Sequence, residues 1–230
     1  MRLLWVRHGQ MDGRAGQQAG LDSINRLFNQ EVEGALTVRG QREARAVAAH
    51  FSENPVHAVY SSPLLRARQT AEATAGALGH EVRVLGEIAE VRTGRLPEGS
   101  PEAWLVSALS DAPLPAGVRR FLLGGTLLPL YYRSWLAGRT EGGESPADLR
   151  ARLGGAFSRL ASEHPSDARV ALFGHGYIIL FLSLALTEGS RFSALFRPYI
   201  PNGSITEIEM DGDGRLRLVR YAATEHLRKR

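Results

Sequence analysis

The chain has 230 residues, 43% of them hydrophobic, a formal net charge of +4 and no cysteine. That length and apolar content suit one generous domain with its own core. The absent thiol excludes disulfide scaffolding, zinc–thiolate sites and thiolate nucleophiles, so covalent chemistry must use another side chain. A pI near 9.8 does not imply nucleic-acid binding, because of 28 basic residues only Lys229 is a lysine. Arginine replaces lysine throughout, which raises the pI without building a patch.

In chain order, the apolar run Leu3 to Val6 reads as a first strand, too short for a signal-peptide core of roughly 7 to 15 residues. Residues 10–34 are polar and glycine-rich and read as an insertion. Thr37 caps a helix over Gly40 to Phe51, His57 to Tyr60 is a second strand, and Pro63 opens a helix to Leu78. Val82 to Leu85 is a third strand. Residues 101–142, with Trp104, Phe121, Tyr131, Tyr132 and Trp135 among prolines and glycines, read as a second insertion whose aromatics pack its own small core. Ser145 with Asp148 starts another helix, and Arg169 to Phe173 is a fourth strand. Ser204 to Met210 and Arg215 to Tyr221 flank Asp211-Gly212-Asp213-Gly214 as a hairpin.

This alternation predicts a single α/β domain: a three-layer, doubly wound, mostly parallel sheet with helices on both faces. The insertions would form a lid region over the carboxyl ends of the strands, where ligands bind in open α/β sheets. The apolar stretches 121–132 and 177–186 fall short of the roughly 20 residues of a membrane span. The expectation is a cytoplasmic protein without membrane or nucleic-acid partners.

His8 leaves the first strand within Arg7-His8-Gly9, and His175 leaves the fourth within Gly174-His175-Gly176. Central parallel strands would bring both imidazoles to one ligand. Arg66, in the first turn of the helix after the second strand, adds a guanidinium at a helix N-terminus that already favours anions. Its planar fork suits phosphate oxygens, and Arg7 offers a second fork beside His8.

Together, Arg7-His8-Gly9, Ser62-Pro63-Leu64-Leu65-Arg66-Ala67 with Gln69-Thr70-Ala71, and Gly174-His175-Gly176 resemble the histidine phosphatase superfamily, also called phosphoglycerate-mutase-like. Leu36-Thr37 with Gly40, Gly143-Glu144-Ser145 with Arg152, and Asn202 with Ser204 agree. The resemblance implies that His8 attacks phosphorus and becomes a phosphohistidine. Arg7, Arg66 and His175, with Gly176, would bind the phosphoryl oxygens. Two guanidiniums and a second imidazole supply the charge neutralisation that phosphoryl transfer needs, so no metal and no cofactor are expected. His8 must be neutral at the attacking nitrogen, with its other ring nitrogen donating to a fixed acceptor such as a backbone carbonyl.

The leaving oxygen needs a proton, and a carboxylic acid beside bound phosphate stays protonated because the adjacent charge disfavours ionisation. Glu87 and Glu90 are the candidates. Glu90-Val91 with Gly94 resembles the family's acid followed by a glycine, so Glu90 is preferred. Gly176 stands where acid-phosphatase relatives carry an aspartate. Gln10-Met11-Asp12-Gly13 departs from the family's continuation of the first motif. No segment between Val91 and Gly142 resembles the arginine-histidine-tyrosine-glycine segment of cofactor-dependent mutases, which favours a phosphomonoester hydrolase over a mutase. A non-catalytic member binding a phospholigand or a partner is the other reading. Asp211-Gly212-Asp213 lacks the context of aspartate-based, magnesium-dependent phosphatases, and Gly214 makes it a turn. Arg119, Arg120 and Arg133 read as solvated surface. The expected substrate is a small phosphomonoester or another phosphorylated molecule.

Overall fold

A computed structural model describes residues 1–12, 26, 33–113, 115, 118, 128–187 and 200–228. These fall into two compact units: Met1–Asp12, Gly34–Glu90 and Arg152–Arg230 make the first, and residues within Gly13–Glu33 and Val91–Ala151 the second. Most of the insertion expected at 10–34 lies outside the described residues, as do Phe121, Arg119 and Arg120.

The first unit is built on a six-stranded sheet. Its strands are β1 (Arg2–Arg7), β2 (Ala58–Ser61), β3 (Val82–Val84), β4 (Arg169–Gly174), β5 (Ile205–Met210) and β6 (Leu216–Ala223). They lie in the order β3-β2-β4-β1-β5-β6. The first four are mutually parallel, while β5 lies antiparallel to both its neighbours, β1 and β6. The sheet is thus α/β, mixed and mostly parallel in its pairings, as the sequence pattern predicts.

Continuous apolar runs in β1, β2 and β4 follow from cover on both faces. On one face Leu4, Val6, Val59 and Phe173 pack with Val47 and Phe51 of α1 (Val38–Glu53) and Ala71 and Ala75 of α2 (Leu65–Leu78). On the other, Trp5 meets Phe157 of α5 (Pro146–Glu163) edge-on, ring centroids 6.2 Å apart. Each valine, leucine or phenylalanine among them contributes about 1.5–3 kcal/mol when fully buried.

Helix boundaries follow readable chemistry, with shifts of two residues: α1, expected over Gly40 to Phe51, runs from Val38 to Glu53. Thr37 caps α1 by accepting from the Gly40 N–H at 3.0 Å. Ser145 and Asp148 cap α5 reciprocally, the Asp148 N–H donating to Ser145 Oγ and the Ser145 N–H to the carboxylate. The helix expected from Pro63 starts at Leu65 instead, with extended Leu64 as its N-cap. Pro63 and the held Ser62 therefore form the strand-to-helix turn rather than the first helical turn. At the other end of the chain, Asp211 Oδ1 accepts from the Asp213 and Arg215 N–H groups, and Gly214 has φ +78°. The acidic tetrapeptide is a hairpin turn.

In the second unit, the stretch read from sequence as an insertion contains two helices, α3 (Pro101–Asp111) and α4 (Leu128–Leu136). Ser100 caps α3 and Pro101 opens it, a start signal that the surrounding prolines and glycines obscure. Tyr131, Tyr132 and Trp135 are buried, in line with core packing, whereas Trp104 is 70% exposed. Tyr131 Oη donates to Gly94 O and Trp135 Nε1 to Glu144 O.

Candidate active site

Strand register brings the expected residues together. Arg7 pairs with Gly174 across β1 and β4, so His8 and His175 leave adjacent parallel strand ends. Ser61 pairs with Phe173 across β2 and β4, and the Ser62 N–H donates to Phe173 O, which brings the turn before Arg66 to the same edge. The two imidazoles face each other, ring centroids 5.2 Å apart at 60°. This is the switch region where the chain leaves β1 and β4 for helices packed on the sheet.

His8 is nearly buried, and its Nδ1 lies 2.7 Å from Gly9 O. A carbonyl only accepts, so Nδ1 carries the proton and Nε2 of the neutral ring keeps its lone pair. The carbonyl acceptor expected from the sequence is therefore Gly9 itself. Burial, and then the charges of Arg7 and Arg66, hold the His8 pKa well below the ordinary histidine value, against the opposing pull of the Gly9 bond. A neutral imidazole with a free Nε2 is the nucleophilic form.

Backbone packing fixes this ring. A Cβ on Gly9 would lie 2.5 Å from Gly40 O, and one on Gly40 would lie 2.1 Å from Gln10 O. Only glycine at both positions lets the strand end press against the first turn of α1. The Gly9 N–H donates to Thr70 Oγ1, which in turn donates to Arg66 O, linking nucleophile loop and arginine through one hydroxyl. Asn202 Nδ2 donates to His8 O, and the Gly203 N–H donates to Arg7 O. The Arg7 guanidinium donates to Ile200 O. A Cβ on Gly176 would meet Arg7 Nε at 3.5 Å, an ordinary contact, which places the guanidinium directly beside the residue after the second histidine.

His175 is fully buried at the N-cap of α6 (Gly176–Ala185). Its pKa is also held well below the ordinary value, chiefly by burial and then by Arg66, His8, Arg7 and Arg152. Its Nε2 lies 2.7 Å from Ser62 Oγ. Arg66 is buried in the first turn of α2, and its charge is felt at both imidazoles.

The two candidate acids separate. Glu90 is buried, and its two carboxylate oxygens accept from the Tyr177 and Ile178 N–H groups at 3.1 Å each, which seats it at the start of the helix that follows His175. Arg152 anchors the preceding backbone by donating to Glu87 O and Ala89 O. The half-buried Glu87 side chain instead lies in the field of Arg159 on α5. Among the described residues no group of three or more His, Cys, Asp or Glu side chains is arranged to hold a metal ion.

Four residues enter the site with roles that sequence reasoning did not assign. Ser62, Thr70, Asn202 and Arg152 were letters in motifs, without partners. Thr70, four residues after Arg66 on a helix, had one usable signal, since a threonine there can bond back to the earlier carbonyl. The histidines that Ser62 and Asn202 contact follow the ends of strands distant in sequence, so these contacts leave no local trace.

The comparisons with known proteins accord with this arrangement. The model of the histidine phosphatase superfamily (branch 1) matches residues 3–110 and 126–224. The chain belongs to that superfamily. A relative named "Probable phosphoglycerate mutase GpmB" from Klebsiella pneumoniae (strain 342) is 30% identical over 176 residues, 76% of this chain and 70% of the relative. Among solved structures, a mycobacterial glucosyl-3-phosphoglycerate phosphatase complexed with VO3 is 26% identical, with TM-score 0.66 over 96% of this chain and 98% of that one. A phosphoglycerate mutase from Bacillus anthracis str. Sterne shares the fold at 18% identity, with TM-score 0.68 over 99% and 95% of the two chains. No helix among the described residues is long and apolar enough to cross a membrane.

Proposed function

We propose that the protein is a phosphomonoester hydrolase that works without a metal or other cofactor, through a phosphohistidine at His8. The observation that carries this reading is the buried His8 ring, tethered at Nδ1 to Gly9 O, set 5.2 Å from a second buried imidazole and in the field of Arg7 and Arg66. His8 Nε2 attacks phosphorus in line with the leaving alkoxide. Arg7, Arg66 and His175 bind the three equatorial oxygens, which accumulate charge in the transition state. Glu90 gives its proton to the departing oxygen, then takes one from the water that hydrolyses the phosphohistidine. The products are the alcohol and inorganic phosphate, and Glu90 returns to its starting state.

Small phosphorylated molecules are the substrate class, in keeping with the name of the phosphatase that is 26% identical. A mutase is the second reading, favoured by the name of the relative that is 30% identical. The two differ only in the acceptor of the phosphoryl group, water or a second hydroxyl.

The test is release of inorganic phosphate from an aryl phosphate and a panel of cellular phosphomonoesters, in excess chelator, by wild type and His8→Ala. The proposal expects release by wild type alone. Chelator sensitivity would remove the metal-independent part, full activity of His8→Ala would remove the nucleophile, and phosphoryl exchange without release would favour the mutase.

A further inference from the structure

The second histidine poses a problem of proton placement. A neutral imidazole has one N–H, and it helps a phosphoryl oxygen only if that N–H points toward it. Burial and the neighbouring cations keep His175 neutral, so its tautomer decides whether it attracts or repels the ligand.

Ser62 is fully buried and its Oγ touches His175 Nε2 at 2.7 Å. The same oxygen accepts the Leu64 N–H at 3.3 Å, so one lone pair is engaged. The described residues offer the hydroxyl proton no acceptor other than Nε2. A buried hydroxyl that leaves its proton unused forfeits a hydrogen bond. The hydroxyl therefore donates to Nε2, which must be the lone-pair nitrogen, and the ring proton resides on Nδ1. That Nδ1 is buried and has no hydrogen-bond partner among the described residues. It is a donor held ready in a ring that faces His8.

We propose that Ser62 is a positioning residue that fixes His175 as its Nδ1–H tautomer, making an uncharged histidine a donor to the phosphoryl group. The inference rests on the hydrolase reading for its ligand, but the proton's position can be read without turnover. Both histidines then carry their proton on Nδ1 with opposite effects: in His8 it is consumed by Gly9 O and frees a nucleophile, in His175 it is left for the ligand.

The experiment is long-range ¹H–¹⁵N correlation NMR of histidine-labelled protein, with His175 assigned by its loss in His175→Asn, before and after addition of inorganic phosphate. The expected result in wild type is an Nδ1–H, Nε2-lone-pair pattern for His175, with the Nδ1 signal moving on phosphate addition. Ser62→Ala should admit the other tautomer and lower kcat/KM by about tenfold to a hundredfold, the scale of one lost bond to a charged group. Ser62→Thr, which keeps the hydroxyl, should restore the wild-type pattern and most of the rate. An Nε2–H pattern in wild type, or an unaltered pattern and rate in Ser62→Ala, would overturn the assignment. Absence of phosphatase activity with the Nδ1–H pattern intact would instead overturn the hydrolase reading, so the two fail separately.

Discussion

Replacing Gly9 by alanine tests the link between backbone packing and the nucleophile. The new Cβ would lie 2.5 Å from Gly40 O, and must retreat by about 0.9 Å to reach an ordinary contact of 3.4 Å. Neither partner yields cheaply, because both are main chain: Gly40 begins the packed face of α1, and Gly9 is pinned through its N–H to Thr70. Overpacking of this kind costs about 1–3 kcal/mol, a Tm loss of roughly 2–12 °C for a chain of this size. The effect on rate should be larger in proportion. Gly9 O holds the His8 ring, so displacing it re-aims Nε2, and a misplacement near 1 Å costs about a hundredfold. The assay is kcat/KM on the best phosphomonoester together with thermal melting, and Gly154→Ala is the control. Gly154 lies in α5 with open space around the position of a Cβ, so the same change there should leave the rate alone and stabilise by about 0.5–1 kcal/mol. Gly9→Ala with kcat/KM within threefold of wild type would refute the reasoning.

Other expectations follow from the same geometry. Glu90→Gln should lower kcat by about a hundredfold or more, the scale of a general acid, and Glu87→Gln by less than about threefold; equal mild losses in steady-state assays would count against Glu90. Because the folded pKa values of His8 and His175 lie below the ordinary 6.5, the unfolded chain takes up protons first as pH falls. The stability tied to the neutral pair is complete above pH 6.5 and declines as pH drops toward the folded values. Urea midpoints should therefore fall on acidification less steeply in His8→Ala than in wild type, while the acid limb of kcat/KM lies below pH 6.5. Ser145→Ala, which removes the reciprocal cap with Asp148, should cost about 1 kcal/mol, seen as a Tm loss of roughly 2–4 °C without a change in kcat.

Much of the scaffold was legible because its signals are local. Apolar runs marked β1, β2 and β4, and Thr37 and Ser145 announced their helices by side chains that bond within three residues. The histidines were legible as a pair because each ends such a run, and the carbonyl acceptor for His8 was foreseeable since it is the next residue. Strand order was not, because it depends on β4 inserting between β1 and β2, a non-local choice. The roles of Ser62 and Asn202 were hidden for the same reason, their partners being 113 and 194 residues away in sequence. The start of α2 was misplaced by two residues because Pro63 fits a first helical turn equally well by its fixed φ. Only the resemblance sets Glu90 apart from Glu87 in the sequence, because the Tyr177 and Ile178 N–H groups that Glu90 accepts from lie 87 and 88 residues away.

The central claim is that His8 carries the phosphoryl group. Wild type mixed with an aryl phosphate, quenched in base to preserve the acid-labile phosphohistidine and digested with trypsin, reports this directly by mass spectrometry. The peptide spanning His8–Arg14 contains His8 as its only histidine. The account predicts phosphate on that peptide during turnover and none in His8→Ala. Turnover with that peptide unmodified, or with the label on another residue, would contradict it.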